Sequence, residues 1–149
     1  ALVQVGDSAP NKCFDTVDEF QICLDEFKGN VVVLLYNAGW CGPCNDEFHE
    51  LAPRVKEFEN EPVVFISLSV SGWSTSQNPS TDFLREWKDK FNVKFPVAAS
   101  PKDPGKAFFN APFYIPAVAV LDKEGKLFYK SQGSSVSTLL PKVRQAMRK

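Results

Sequence analysis

The stretch VVVLLYNAGWCGPCNDEFHEL, residues 31–51, decides the fold. Val31 to Tyr36 form an unbroken apolar run rich in β-branched side chains, which suits a strand covered on both faces. Directly after Cys41 the pattern turns helical: Phe48, Leu51, Val55 and Phe58 recur at steps of three and four, and Pro43 fits a first turn. Pro53 is expected to kink this helix. A second buried run, VVFISLSV at 63–70, completes strand, helix, strand, and a crossover of that kind makes the two strands parallel neighbours.

This order places the cysteines of GWCGPC, residues 39–44. Cys41 falls at the helix N-terminus, facing unpaired backbone N–H groups and the positive end of the helix dipole. A thiolate is stabilised there: helix-start cysteines have pKa values of about 3.5 to 7.5 against ~8.5 for a free thiol, and the thiolate is the form that attacks a disulfide. Cys41 is therefore the candidate nucleophile. Cys44, one turn further in, is shielded against the helix yet near enough to resolve a mixed disulfide. Pro43 stiffens the turn, and Gly42 adds no side chain to obstruct a partner. A lone cysteine is more often a small buried hydrophobe, but a Cys-x-x-Cys at a strand-to-helix junction inside a βαβ pattern points to redox chemistry. A zinc site would need a second ligand pair; Cys13 and Cys23 lack knuckle spacing and His49 is the sole histidine, so no metal is expected.

Composition narrows the partners. The 149 residues, 44% of them hydrophobic, can bury one sizeable core, so a single domain over 1–149 is expected. With 17 basic and 18 acidic residues scattered along the chain, a nucleic-acid footprint or a basic membrane face is not indicated. No run approaches the roughly 20 apolar residues of a membrane span, and no signal peptide is visible. The start at Ala1 fits either a processed secreted protein or a trimmed one. No repeat or low-complexity linker interrupts the chain.

Outside the central unit, KCFDT and QICLDEF flank a polar turn and read as a hairpin. Cys13 and Cys23 would then lie nearly opposite each other, either as a disulfide contributing about 2 to 3 kcal/mol or as two buried free thiols. After a polar loop at 71–79, STDFLREWKDKF reads as a helix whose apolar face is Phe83, Leu84, Trp87 and Phe91, capped by Ser80 or Thr81. An irregular proline-rich segment spans 96–116. AVAVLD and KLFYKS are strands joined around Gly125, and STLLPKVRQAMRK is a last amphipathic helix with Pro141 in or near its first turn.

GWCGPC, the βαβ unit around it and FYIPAVAVLDKEGKL resemble the thioredoxin superfamily over nearly the whole chain. The opening, with its hairpin, LDEFKGN approach and helical insert after the second core strand, is similar to the TlpA-like and ResA-like extracytoplasmic thioredoxins. The resemblance implies a thioredoxin fold of the α/β class: a central mixed β-sheet flanked by helices, with an N-terminal hairpin and that insert. It implies a thiol-disulfide oxidoreductase acting on protein disulfides and dithiols, with no cofactor, a membrane electron donor, a monomeric state and a periplasmic or secreted location. Pro116, after Ile115, matches the family's cis-proline, whose loop presents backbone to the partner; only about 5 to 6% of X-Pro bonds are cis, so the residues alone favour trans. Glu47 matches a glutamate kept near the buried thiol and is the candidate proton acceptor for Cys44; the other reading is an exposed helical glutamate. Burial there would raise its pKa. Trp40 matches the aromatic at the rim of the contact surface.

Leu35 stands where cytosolic thioredoxins bury an acid, which leaves Glu47 as the acceptor. His49 stands where the family's kinking proline usually falls, and a solvated or capping role is expected of it. A related peroxidase would need a lone cysteine in a Pro-x-x-x-Thr-x-x-Cys frame, and the chain has none. Because parallel strands end on one side of an open sheet, the loop after residue 70 should overhang Cys41 and make Trp73 a selectivity contact, or else pack Trp73 under the insert helix. Gly-Pro between the cysteines resembles the reducing members, although potentials in the superfamily run from about -270 to -120 mV. Two other classes remain open at this stage: a copper- or zinc-binding module using the same thiols, and a redox-inert binding domain on the same scaffold.

Overall fold

The structure, a computed structural model, describes residues 2–18, 20–100, 105–133 and 135–149. A hairpin of β1 (Cys13–Asp15) and β2 (Gln21–Cys23) leads into the core strand β3 (Val31–Ala38), every residue of which is buried. Helix α1 (Gly42–Leu51), strand β4 (Val63–Ser71) and helix α2 (Thr81–Lys90) follow. The short strand β5 (Val97–Ala99), the antiparallel pair β6 (Ala117–Leu121) and β7 (Leu127–Gln132), and helix α3 (Val136–Met147) complete the order.

The main sheet runs β5-β4-β3-β6-β7, with β3, β4 and β5 parallel and β6 and β7 antiparallel to their neighbours. Alternation along β3 divides the interior. Val31, Val33 and Leu35 face Phe48 and Leu51 of α1, Phe83 and Trp87 of α2, and Leu139 and Val143 of α3 in one cluster. Val32, Leu34 and Tyr36 face the other way, onto Phe14 and Ile22 of the hairpin and Phe108 and Phe109 of the segment before β6. All three helices thus contribute to one face of the sheet, and the hairpin and an irregular segment cover the other.

The segment before β3 also closes the sheet's edges. Gly6 donates to the Leu127 carbonyl at 2.8 Å and Leu127 to that of Asp7 at 2.9 Å, at the start of β7. Further along, Val17 donates to the Val97 carbonyl at 2.9 Å, and Thr16 bridges Ala98 of β5. In the hairpin itself, Cys13 lies directly opposite Cys23, with Cα atoms 4.0 Å apart, and the two are joined by a disulfide. Leu24 donates to Lys12 on one side, so 13/23 is the closer, non-hydrogen-bonded kind of cross-strand pair. Phe14 and Ile22 point inward, and the disulfide therefore sits on the outer face instead of being buried as thiols.

Three expectations need correction. Pro53 does not kink a continuous helix: α1 ends at Leu51 and the chain tightens into a 3-10 helix, Ala52–Phe58, because the proline has no N–H for the His49 carbonyl. Pro141 lies inside α3, just beyond its first turn, because the helix starts at Val136, the first residue of its apolar face, capped by the Ser135 hydroxyl, which accepts from Thr138 N–H at 3.3 Å. The proline-rich segment contains β5, and residues 101–104 of it lie outside the described residues.

Between β6 and β7, Gly125 takes the left-handed conformation (φ 82°) that the turn needs. Asp122 organises this turn, accepting from Glu124 and Lys126 backbone N–H at 2.9 and 3.0 Å and from Lys149 Nζ at 2.7 Å. Burial pushes the Asp122 carboxyl up, but these donors outweigh it and hold it below the ordinary aspartate value.

Candidate active site

The site forms where β3 runs out. Pairing with β4 shifts register between Asn37 and Ala38, so that Val70 is the extra residue of a bulge and Ser71 comes opposite Ala38. That places the Ser71 hydroxyl where Trp40 Nε1 donates to it at 2.6 Å, and Gly39 N–H donates to the Gly72 carbonyl at 3.0 Å. The loop after β4 and the loop carrying Cys41 are therefore tied together.

Cys41 is the N-cap of α1, with extended backbone (φ -83°, ψ 104°), and its Sγ accepts from the Cys44 backbone N–H at 3.2 Å. A helix start usually takes a side-chain oxygen in this role; here sulfur does the capping, at the end of the helix that favours negative charge. Cys41 and Cys44 form a disulfide with Cα atoms 5.2 Å apart, so the structure shows the oxidised state. Cys41 is 3% exposed and Cys44 wholly buried. Gly42 and Pro43 between them are exposed, and a Cβ at Gly42 would meet nothing within 4 Å. The approach to Cys41 thus passes over bare backbone.

Cys44, Glu47, Phe48 and Leu51 make the inward face of α1. Glu47 is buried, at 6% exposure, which removes the reading of an exposed helical glutamate. The Ile115–Pro116 bond is cis. Tyr36 pairs with Ala117, so Pro116 sits at the same end of the sheet as Cys41, and Ile115 packs against the cluster that holds both cysteines. Trp40, at 45% exposure, stands at the rim.

Trp73 lies between the insert helix and the redox loop. Its ring meets Phe83 edge-on at 4.9 Å and lies 6.4 Å from Trp87, so it packs on α2. It also covers the redox loop: a Cβ at Gly39 would fall 2.6 Å from Trp73 Cε3 and 2.7 Å from Phe83 Cε1. The ring remains 38% exposed. His49 is exposed, its ring edge-on to Phe91 at 4.8 Å, and lines a cavity of about 860 Å³ with Pro53, Lys56, Phe95 and neighbours, a lining that includes neither Cys41 nor Cys44.

Two polar arrangements were not anticipated. Asn37 is wholly buried; its Nδ2 donates to the Leu35 carbonyl at 3.0 Å and to Ser67 Oγ at 2.9 Å, and its Oδ1 accepts from Ser69 Oγ at 2.7 Å. The signal in the sequence was the pair of serines alternating through an otherwise apolar strand. Asn45, next after Cys44, donates through Nδ2 to the carbonyls of Cys41 at 2.8 Å and Gly39 at 3.2 Å, while Lys90 Nζ donates to its Oδ1 at 2.6 Å. Among the described residues no group of three or more His, Cys, Asp or Glu is arranged to hold a metal ion.

The model of the AhpC/TSA family matches residues 5–130. The thiol-disulfide oxidoreductase ResA of Bacillus thuringiensis subsp. konkukian is 28% identical over 144 residues, covering 93% of this chain and 75% of that protein. The thioredoxin-like protein YneN of Bacillus subtilis is 28% identical over 123 residues, 83% of this chain and 68% of that one. A secreted thiol-disulfide isomerase from Corynebacterium glutamicum superposes with a TM-score of 0.81 at 19% identity, covering 100% of this chain and 92% of the other. With the family match spanning most of its length, the chain belongs to the AhpC/TSA family, and its Cys41–Cys44 pair makes it one of the thiol-disulfide oxidoreductases of thioredoxin fold.

Proposed function

We propose that the protein reduces disulfides in protein substrates, acting as a monomer of one domain outside the cytoplasm. One observation carries the reading: the sulfur of Cys41 caps the N-terminus of α1, with the N–H of Cys44 directed at it, next to a buried partner thiol. In the reduced enzyme that N–H and the helix dipole stabilise the Cys41 thiolate. The thiolate attacks one sulfur of the substrate disulfide; the substrate S–S bond breaks, and the departing sulfur leaves as a thiolate that takes a proton from water. Cys44 then gives up its proton and attacks the Cys41 sulfur. The Cys41–Cys44 bond forms, the mixed disulfide breaks, and two electrons have passed to the substrate.

Glu47 is the acceptor of the Cys44 proton in this scheme. It lies one turn along the same buried helix face, within the shielded interior that holds Cys44. Trp40, Gly42, Pro43, Ile115, Pro116 and Trp73 form the surface that receives the substrate chain. The oxidised pair is restored by a dithiol donor, for which a membrane electron carrier is the expected source. A disulfide on the outer face of the hairpin suits an oxidising compartment. Among the described residues no helix is long and apolar enough to cross a membrane.

The decisive experiment is trapping. Cys44→Ser should accumulate Cys41-linked mixed disulfides with proteins, and Cys41→Ser should accumulate none. A redox titration of the pair should give a potential towards the reducing end of the superfamily; a value near the oxidising end would reverse the direction, and an absence of trapped protein would remove the activity.

A further inference from the structure

Besides packing Phe83 against Gly39, the insert helix α2 reaches the redox loop through a charged side chain. Lys90, at its last residue, places its ammonium 2.6 Å from Asn45 Oδ1, 5.4 Å from the Trp73 ring centre and 5.2 Å from that of Phe91. Asn45 in turn holds the carbonyls of Gly39 and Cys41, the residues on either side of Trp40. Its orientation is fixed by chemistry: carbonyl oxygens accept only from the amide nitrogen, and an ammonium donates only to the amide oxygen. The Cys41 carbonyl also takes the Asn45 backbone N–H at 3.1 Å, so two donors satisfy it.

We propose that Asn45 and Lys90 are positioning residues that set the acidity of the Cys41 thiol, and that α2 acts on the redox centre through them. The inference rests on Cys41 being the nucleophile. The Asn45 amide binds the carbonyls of Gly39 and Cys41 and so holds the backbone that sets the sulfur at the start of α1, where the helix dipole favours its thiolate. The Lys90 charge polarises the Asn45 amide, and polarised hydrogen bonds strengthen in series. The ammonium is itself anchored over the faces of Trp73 and Phe91 by cation–π attraction, so it holds its position although it is exposed.

The other ionisable groups that neighbouring elements bring to this region include Cys44, Asp46, Glu47 and His49 on α1, the last edge-on at 4.8 Å to the Phe91 ring under the ammonium, Glu86 on α2, whose carboxylate accepts from Trp73 Nε1 at 3.4 Å, Lys94 after α2, which lines the same cavity as His49 and Lys90, and Tyr114 before the cis-proline. Serines and Asn37 supply the rest of the polar surroundings from β3 and β4, and these do not ionise. Lys90 is the cation that meets the loop through Asn45.

The test measures iodoacetamide alkylation of Cys41 against pH in the fully reduced full-length chain, read by mass at that residue. Lys90→Met should raise the apparent pKa of Cys41 by about 0.5 unit, which is about a threefold loss of thiolate at pH below both values. Asn45→Ala should raise it at least as far. The double variant should match Asn45→Ala alone, since Lys90 acts through the amide, and Lys90→Arg should restore most of the wild-type value. Lys90 is exposed, and a thermal melt of each variant checks that the fold is kept. An unchanged pKa in Lys90→Met would overturn the proposal. So would a Lys90 effect that persists in the Asn45→Ala background and disappears in 1 M salt, the behaviour of an unbound surface charge. If the wild-type thiol itself titrates near ~8.5, it is the proposed function that fails, not this inference alone.

Discussion

Removing the hairpin disulfide should cost stability through the unfolded chain, because the bond lies on the outer face of β1 and β2 and fills no core. The cysteines are separated by 10 positions. In the loop-entropy relation, with n about 11, the bond withholds about 9 cal/mol/K from the unfolded ensemble, or about 2.8 kcal/mol at 25 °C. For a chain of this length that corresponds to a fall of roughly 9 °C in melting temperature. The variant is Cys13→Ser/Cys23→Ser, compared with wild type by urea denaturation without reductant, so that Cys41–Cys44 stays oxidised in both. The expected loss is about 2 to 3 kcal/mol, with an m-value that rises as the unfolded chain becomes less constrained. Alkylation of unfolded, unreduced wild type followed by mass analysis should find no free thiol. A loss under about 1 kcal/mol with the bond confirmed would refute the entropic account; alkylation of Cys13 and Cys23 in freshly oxidised protein would refute the bond.

Gly39→Ala should destabilise by about 1 to 3 kcal/mol through overpacking, because its methyl would meet the Trp73 and Phe83 rings and the Gly72 carbonyl oxygen, the last at 2.9 Å; a neutral result in thermal denaturation would mean that α2 yields freely. Trp73→Ala should slow reduction of a protein disulfide while leaving a small aromatic disulfide unaffected, measured as kcat/KM for each, and equal effects on both would remove its role in selectivity. Asp122 has its folded pKa depressed, so the unfolded chain binds the extra proton and the group's contribution, full above the ordinary aspartate value, is lost as pH falls through the folded one. Urea midpoints should therefore drop less between pH 6 and pH 3 for Asp122→Asn than for wild type, and parallel drops would show that Asp122 does not link folding to pH.

The strand-to-helix junction was legible because its signals are local: a buried β-branched run, a change of period, and two cysteines one turn apart. The hairpin was readable for the same reason, down to the facing of Cys13 and Cys23. What escaped depends on register between distant segments. Val97–Ala99 is too short for any period to show, and becomes a strand only by lying beside Ser67–Ser69. Asn37 looked like the end of an apolar strand, and its role appears only when β4 brings two serines opposite it. Asn45 and Lys90 meet across 45 positions, and nothing in either helix's own pattern announces the bond. Pro141 misled because a proline usually marks a helix's start, whereas α3 starts at Val136, the first residue of its apolar face, behind the Ser135 cap.

Acting on protein disulfides, as proposed, would bring the sheet close to extended chains that can add to a free strand edge. Open borders on a five-stranded sheet would invite such chains to add themselves as a sixth strand and seed insoluble assemblies. Here the leading arm lies against the start of β7 and then crosses to β5, occupying amides and carbonyls at both borders. Clipping that arm should therefore free both borders and make the protein aggregate, by itself or with such chains.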